Sequence, residues 1–201
     1  YARDTEFNGY LEAFQEDWSP VEDMRLSEKD KNSYKTMNTH LHILEAYTSL
    51  FQISGSNEVK EALENLIKLF VRKFYDRSNQ HFQLFFDDRW NREGDVVSYG
   101  HDIETIWLLI EAAKVVKNIQ FLEEAKEVAV TVAETFLREA YVEKAGVINE
   151  KDMDTGEVDE DRHWWPQIEA MVGLDYAYHI SGNENFRIAQ RDIWRFIKQN
   201  I

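Results

Sequence analysis

Apolar residues recur at helical spacing through six stretches of the chain. In the first stretch, Leu41, Leu44 and Tyr47 fall three residues apart, as on one face of a helix. Gly55 and the run Ser181-Gly182-Asn183 interrupt the pattern where a helix would end. The pattern predicts three helix pairs, formed by residues 34–53 and 57–76, 102–116 and 119–140, and 163–180 and 184–199.

Shorter alternating or apolar runs lie outside these helices and predict strands. Residues 9–14 predict a short strand, and residues 81–86 predict a strand or hairpin. Residues 141–162 predict a hairpin, with Gly146-Val147-Ile148 ahead of an acidic turn around Gly156. Long connections that carry β-structure therefore precede the second and third helix pairs.

The first helix of each pair carries a similar polar segment. Three glutamates align, Glu45, Glu104 and Glu169, at separations of 59 and 65 residues. A repeat with one helix pair per unit is typical of stacked α-hairpins. We therefore expect residues 1–201 to form a single all-α domain, with the long loops gathered at one end, where binding sites tend to lie.

Composition narrows the class of protein. Hydrophobic residues make up 43% of the 201 residues, which is enough for a packed core. The formal net charge of −15 disfavours nucleic acid and anionic membranes as partners. There is no cysteine, so neither disulfides nor thiol chemistry is expected. No signal peptide or membrane-length apolar run is visible in a sequence that begins at Tyr1, and we expect a cytoplasmic location.

The most informative short segment is Tyr99-Gly100-His101-Asp102-Ile103-Glu104. Residues three apart share a helix face, so His101 and Glu104 would point the same way from the first turn of a helix. This arrangement pairs a group that titrates near neutral pH with a carboxylate able to orient it, as general acid–base catalysis requires. The alternative is a histidine hydrogen-bonded at a helix start for structural reasons alone.

Two further clusters offer polar groups at helix starts. Asn38 and His42 are four residues apart and share a face, whereas His40 falls on another face. His42 could equally be a satisfied interior histidine. In the third cluster, a Trp face could stack on a sugar ring. Both Trp164 and Trp165 could belong to the core, but we expect one ring in the core and one facing the site.

The sequence gives little support for a metal or a nucleotide as a cofactor. There is no His-Glu-x-x-His motif, and no glycine-rich phosphate loop. We therefore expect neither a catalytic metal nor a bound nucleotide.

Taken together, the three clusters resemble the N-acylglucosamine 2-epimerase superfamily, and in particular its cellobiose 2-epimerase branch. The resemblance runs over nearly all of the chain. Its motifs are long, and they are residues 37–47 (MNTHLHILEAY), 98–104 (SYGHDIE) and 162–173 (RHWWPQIEAMVG). Residues 18–27 also resemble that branch.

The resemblance implies a fold and an activity. The fold would be part of an (α/α)6 barrel, contributing about three helix hairpins with short β-hairpins in the loops. The activity would be epimerisation at C2 of the reducing-end residue of β-1,4-disaccharides such as cellobiose, through an enediolate and without a cofactor. By motif, the catalytic residues would be His101, Glu104 and His42, and the substrate-binding residues would be Asn38, Trp164, Asp30 and Glu150.

The resemblance also exposes departures. The family's barrel is about twice as long as this chain, and its second acid/base histidine falls beyond residue 201. Half a ring would leave apolar edges exposed, so self-association across those edges is expected. An aldose–ketose isomerase or N-acylglucosamine 2-epimerase, a carbohydrate-binding remnant without catalysis, and an (α/α)-barrel glycoside hydrolase remain alternatives.

Overall fold

A computed structural model describes residues 1–25 and 31–201 of the chain. Over these residues the fold is mainly helical and follows the predicted order of three helix pairs. The helices are α1 (Met37–Ser54), α2 (Asn57–Leu69), α3 (Tyr99–Val116), α4 (Ile119–Glu139), α5 (Trp164–Ser181) and α6 (Glu184–Asn200). A π-helical turn, Phe70–Phe74, continues α2.

The helix ends follow from local chemistry. Thr36, Ser56, Asn118 and Asn183 cap the starts of α1, α2, α4 and α6, because each side chain accepts a hydrogen bond from a backbone N–H of the first turn. Gly55 and Gly182 end α1 and α5 in the left-handed conformation that glycine adopts without strain. These are the boundaries that the sequence pattern predicts to within a few residues.

Helix α3 lies at the centre of the fold and packs against α1, α4 and α5. Ile103, Ile106 and Leu109 are all fully buried in the core. The helix begins at Tyr99, three residues before its predicted start. Gly100 is thus helical, and its missing side chain leaves room for the ring of Trp165, which a β-carbon would approach to 2.4 Å.

Short antiparallel strands lie in the loops near the starts of α1, α3 and α5. They are β1 (Lys35–Thr36), β2 (Tyr75–Asp76), β3 (His81–Phe82), β4 (Phe85–Phe86), β5 (Val96–Ser98), β6 (Tyr141–Val142), β7 (Gly146–Val147), β8 (Glu150–Asp152) and β9 (Val158–Asp159). The pairs are β1–β4, β2–β3 and β6–β7, and a three-stranded sheet has the order β5–β8–β9.

Two strand predictions need correction. The run 81–86 holds two strands that do not pair with each other, since β3 pairs with β2 and β4 pairs with β1. Residues 9–14 form only isolated bridges, Arg3 with Tyr10 and Phe14 with Pro20. The predicted hairpin in residues 141–162 is present as two hairpins, β6–β7 and β8–β9, with Gly156 in the second turn.

The strands determine which residues meet at the helix starts. In the β5–β8 pair, Ser98 lies opposite Glu150, which brings the connection between α4 and α5 onto the start of α3. In the β1–β4 pair, Thr36 lies opposite Phe85, which brings the connection between α2 and α3 onto the start of α1. Among the described residues, no helix is long and apolar enough to cross a membrane.

Candidate active site

A pocket opens where the starts of α1 and α3 meet the loops. It encloses about 510 Å³, including space open to solvent. Four of its polar lining residues are Glu12, Asn38, His101 and Glu150, and Leu84 and Phe85 give it an apolar wall. A concavity that combines an apolar wall with convergent polar groups is typical of a small-molecule site.

His101 lies in the first turn of α3 and lines this pocket. Its Nδ1 atom is 2.9 Å from Ser98 Oγ. The Trp165 ring packs against the imidazole with a centroid separation of 4.9 Å. The imidazole is therefore held by a hydroxyl on one edge and by an aromatic ring.

Glu104 is not seen as the hydrogen-bond partner of the His101 Nδ1 atom, which lies against Ser98 Oγ. The role of Glu104 as the carboxylate that assists His101 stays a prediction. Glu104 is half-buried one turn further along α3. Burial, followed by the negative charges of Glu169 and Glu45, raises the pKa of Glu104 to about 7. Its carboxyl group can therefore carry a proton near neutral pH.

The three repeated glutamates thus influence one another electrostatically across α1, α3 and α5. Glu169 accepts a hydrogen bond of 2.9 Å from Trp107 Nε1. Burial raises the pKa of Glu169, and the Trp107 hydrogen bond opposes this shift. Carboxylates that lie near one another in a partly buried position lower the stability of a fold. Such arrangements are common at functional sites.

Asn38 and His42 share a face of α1, as predicted. Both line a groove next to the pocket, together with Arg3 and Tyr10, and Asn38 lines the groove and the pocket alike. The His42 side chain is about half exposed, at 55%, and its Nδ1 is 3.3 Å from Glu45 Oε2. His42 is therefore not an interior histidine. Its catalytic role stays a prediction.

His40, on the opposite side of α1, is structural. It is fully buried, its Nδ1 is 2.7 Å from the Thr36 carbonyl, and its Nε2 lies 2.9 Å from the Tyr10 N–H. Because Nε2 accepts from a backbone donor, Nδ1 carries the proton and donates to Thr36. Burial lowers the pKa of His40 to about 4, so the ring is neutral.

The two tryptophan rings do not follow the expectation that one lies in the core and one faces the site. Trp165 lines a second pocket that also contains Glu150 and His163, and it contacts His101. Trp164 is 64% exposed. Neither ring belongs to the core, and the stacking role expected of Trp164 stays a prediction, whereas Trp165 is the ring that adjoins the first pocket.

Glu150 lies on β8 and lines both pockets, so its position fits the substrate contact expected of it. Asp30, the other acidic residue expected at the site, lies outside the described residues. Residues Arg25 and Lys31, on either side of that gap, add positive charge to the first pocket.

Sequence reasoning missed two residues of the pocket region. Glu12 accepts hydrogen bonds from Thr36 Oγ1 at 2.6 Å and from Thr39 Oγ1 at 2.8 Å, and so joins the N-terminal segment to the start of α1. Nothing local in the sequence predicts this long-range contact. Ser98 is the first residue of the 98–104 segment, and its place just before a helix was the available signal.

Within residues 1–25 and 31–201, one group of side chains has metal-ligating chemistry. The ligating atoms of Asp159, Asp161 and His163 all lie within 4.8 Å of one another. Two of the three residues are exposed, and exposed acidic groups of this kind are common without an ion. We assign no metal to them.

Comparison with known proteins adds the evolutionary context. A sequence profile described as N-acylglucosamine 2-epimerase (GlcNAc 2-epimerase) matches residues 3–201. Cellobiose 2-epimerase from Bacteroides fragilis is 44% identical over 194 residues, covering 96% of this chain and 49% of the relative. The enzyme of that name from Dictyoglomus turgidum is 42% identical, with 94% and 48% coverage.

Solved structures give the same fold. A sugar epimerase from a ruminal bacterium superposes with a TM-score of 0.93 at 34% identity, covering all of this chain and 50% of the other. Cellobiose 2-epimerase from Bacillus thermoamylovorans gives 0.89 at 34% identity, with 98% and 50% coverage. A D-mannose isomerase, at 21% identity and a TM-score of 0.71, shares the fold.

The chain spans about half the length of the relatives it matches. Its three helix pairs are accordingly half of an (α/α)6 barrel, as the sequence resemblance implied. With a profile match over nearly every residue and close relatives across the same span, the chain belongs to the N-acylglucosamine 2-epimerase family.

Proposed function

We propose that the protein containing this chain epimerises C2 of the reducing-end residue of β-1,4-disaccharides, converting cellobiose to glucosyl-mannose. The observation that carries the proposal is the pocket in which His101, Asn38 and Glu150 meet. Relatives at 44% and 42% identity that carry the name cellobiose 2-epimerase support the choice of substrate.

The chemistry begins on the open-chain form of the sugar. His101 takes the proton from C2, and the bonding electrons form a C1–C2 double bond while the C1 oxygen takes negative charge. The product of this step is an enediolate. A proton delivered to the opposite face of C2 inverts its configuration. One proton leaves and one returns, so the step balances without a redox partner.

Other residues stabilise and position this intermediate. His42 donates to the oxygen that gains charge, where a preorganised donor lowers the barrier. Glu104, whose pKa is raised to about 7 by burial and by Glu169 and Glu45, holds a proton close to the reacting centre. Asn38 and Glu150 contact sugar hydroxyls, with Asp30 and the Trp164 ring as further contacts. A cytoplasmic location belongs to the same proposal.

The family resemblance assigns the second acid/base histidine to a segment outside these 201 residues. This chain alone would therefore form the enediolate faster than it could complete a selective inversion. Incubation with cellobiose followed by product identification tests the proposal. Glucosyl-mannose, or C2 hydrogen exchange without net product, supports it. A ketose as the main product would mean an isomerase, released glucose a hydrolase, and binding without either reaction a non-catalytic carbohydrate-binding protein.

Self-association is a further part of the proposal. Apolar side chains remain exposed on α1, at Leu50 and Ile53, and on α6, at Ile188 and Trp194. These residues lie on the first and last helices of the half ring, where contacts would cover them. Light scattering of the purified chain should show species larger than the 23.9 kDa monomer. A stable monomer across the concentration range would contradict this.

A further inference from the structure

Ser98 occupies the capping position of α3 without capping it. Ser98 directly precedes the helix in an extended backbone conformation, yet its side chain makes no capping hydrogen bond. The side chains at the corresponding positions of α1, α2, α4 and α6 all accept from a backbone N–H. A serine in this position normally stabilises the helix by such a bond, so its hydroxyl is used differently here.

The hydroxyl is directed to His101. Ser98 Oγ is 2.9 Å from Nδ1 of the imidazole three residues later. The contact joins the last residue of β5 to the first turn of α3. The bond that would have capped the helix is thus exchanged for one that holds a ring lining the pocket.

The chemical nature of the partner matters. A carboxylate only accepts, so it would favour the imidazole that carries its proton on Nδ1. A hydroxyl can accept the same proton by rotating about its C–O bond. When Nε2 takes a proton from carbon, the neutral ring carries its proton on Nδ1 before the step and the imidazolium carries it there afterwards. Nδ1 therefore donates to Ser98 Oγ in both states, and the hydrogen bond persists through the proton transfer.

Ser98 is itself held in place. It is only 1% exposed, and it lies opposite Glu150 in the β5–β8 pair. The next residue, Tyr99, donates its backbone N–H to the Asn149 carbonyl at 3.2 Å. On the imidazole side, Trp165 restricts the ring. Both ends of the hydrogen bond are thus set by rigid structure.

We propose that Ser98 is a positioning residue for His101, which keeps Nδ1 hydrogen-bonded in each protonation state so that Nε2 exchanges the proton with C2 of the sugar. This assignment rests on the proposed function for its chemistry, and on the contact between Ser98 and His101 for its geometry.

Three variants test it: Ser98→Ala, Ser98→Thr and, as a matched control, Ser56→Ala. Ser56 also precedes a helix, but it does cap, accepting from the Val59 N–H at 3.5 Å. We expect Ser98→Ala to lower kcat for C2 hydrogen exchange on cellobiose about tenfold, the effect of one lost hydrogen bond, with KM changed less than twofold. Ser98→Thr should restore most of kcat. Ser56→Ala should lower the melting temperature and leave kcat unchanged.

Nitrogen-15 NMR of the imidazole provides a readout that does not need activity. The Nδ1 resonance of His101 should shift in Ser98→Ala and return towards the wild-type position in Ser98→Thr, while Ser56→Ala leaves it in place. Wild-type values of both kcat and the Nδ1 shift in Ser98→Ala would overturn the proposal, as would failure of Ser98→Thr to restore either. If the wild-type chain exchanges no C2 hydrogen, the proposed function fails, and the Nδ1 shift still decides whether Ser98 holds the ring.

Discussion

Three histidines show how the surroundings of identical side chains give them different chemical properties. His40 is neutral because burial lowers its pKa to about 4 and backbone groups occupy both nitrogens. His81 lies between Asp102 and Glu139, which hold it in place from both sides. Of the three, His101 is the one that lines the pocket. A ring that must give and take protons needs access to its substrate, and the burial of His40 and His81 denies them that access.

Glu104 gives a prediction at the residue scale. Its pKa of about 7 lies above the ordinary value of 4.5, so the folded state binds this proton more tightly than the unfolded state does. The stability associated with that proton is complete below about pH 4.5 and is lost as pH rises through 7. Glu104→Gln should therefore stabilise the protein at pH 8 by about 1 kcal/mol, allowing for solvent screening, and have little effect at pH 4.5.

Urea unfolding at the two pH values measures this difference, with Glu111→Gln as the control. Glu111 is on the same helix. Burial acts to raise the pKa of Glu111, but hydrogen bonds from Lys114 and Tyr176 outweigh burial and hold this pKa below its usual range. Glu111→Gln should destabilise the protein at pH 8. The same pH dependence in both variants would contradict the account.

The residues of the site could be predicted only in part. Spacing alone predicts that Asn38 and His42 share a face and that His40 does not, because helix geometry is local. The partner of His101 could not be chosen this way, since Ser98 and Glu104 are both three residues from it. Which of the two residues contacts the Nδ1 atom of His101 depends on the tertiary fold around the ring. The Trp165 contact likewise joins residues 64 positions apart, so spacing along one helix does not predict it.

At the scale of elements, the close approach of α3 and α5 determines the geometry behind the site. A β-carbon on Gly173 would lie 2.5 Å from the backbone carbonyl oxygen of Ile103. A β-carbon on Gly100 would instead meet the Trp165 side chain at 2.4 Å. Backbone yields less readily than a side chain, so the two glycines have different consequences when replaced.

Gly173→Ala should lower stability, although helix propensity alone would raise it by about 1 kcal/mol. The clash with α3 forces the helices apart, and overpacking of this kind costs about 1–3 kcal/mol. Calorimetry of the melting transition measures the sign. A higher melting temperature would show that propensity dominates and that the helices separate without strain. Gly100→Ala should mainly displace Trp165 and slow C2 hydrogen exchange.

The buried cluster behind α3 gives a second prediction for these elements. His81 Nδ1 is 2.6 Å from Asp102 and Nε2 is 3.2 Å from Glu139, so β3, α3 and α4 are joined. Burial opposes protonation of His81, but the hydrogen bond and charge of Asp102, with Glu139, raise its pKa above 6.5. The stability this provides is complete below pH 6.5 and is lost as pH rises through the raised value.

His81→Gln should therefore lower the unfolding free energy at pH 6 and reduce its decline above pH 6.5. His179→Gln is the control, because the His179 side chain is 71% exposed and its ion-pair partner, Asp175, is on its own helix. If the control and His81→Gln gave parallel stability curves, the cluster would not be the source of the pH dependence.

The order of elements could be predicted from the sequence better than their pairing. Helical periodicity predicts six helices because their hydrogen bonds are local. The run that holds β3 and β4 was expected to form one strand or hairpin, yet β3 pairs with β2 and β4 pairs with β1, and both partners precede the run in sequence. Strand pairing depends on contacts distant in sequence, which a short apolar run does not encode.

At the scale of the whole molecule, the proposed function makes this chain one wall of an active site. Its loops meet at the starts of α1 and α3, and its length is about half that of its relatives. In the proposed mechanism His101 takes the C2 proton, whereas the return of a proton to the other face needs a second group. Proton removal is therefore the step that tests the proposed role of His101 directly.

The most direct measurement is the loss of the C2 proton signal of cellobiose in D2O, followed by proton NMR. The wild-type chain should exchange this hydrogen for deuterium, the exposed-site control His179→Ala should do so at the same rate, and His101→Ala should fall to the rate without protein. A folded His101→Ala variant that exchanges as fast as the wild type would contradict the account, because the base would then lie elsewhere.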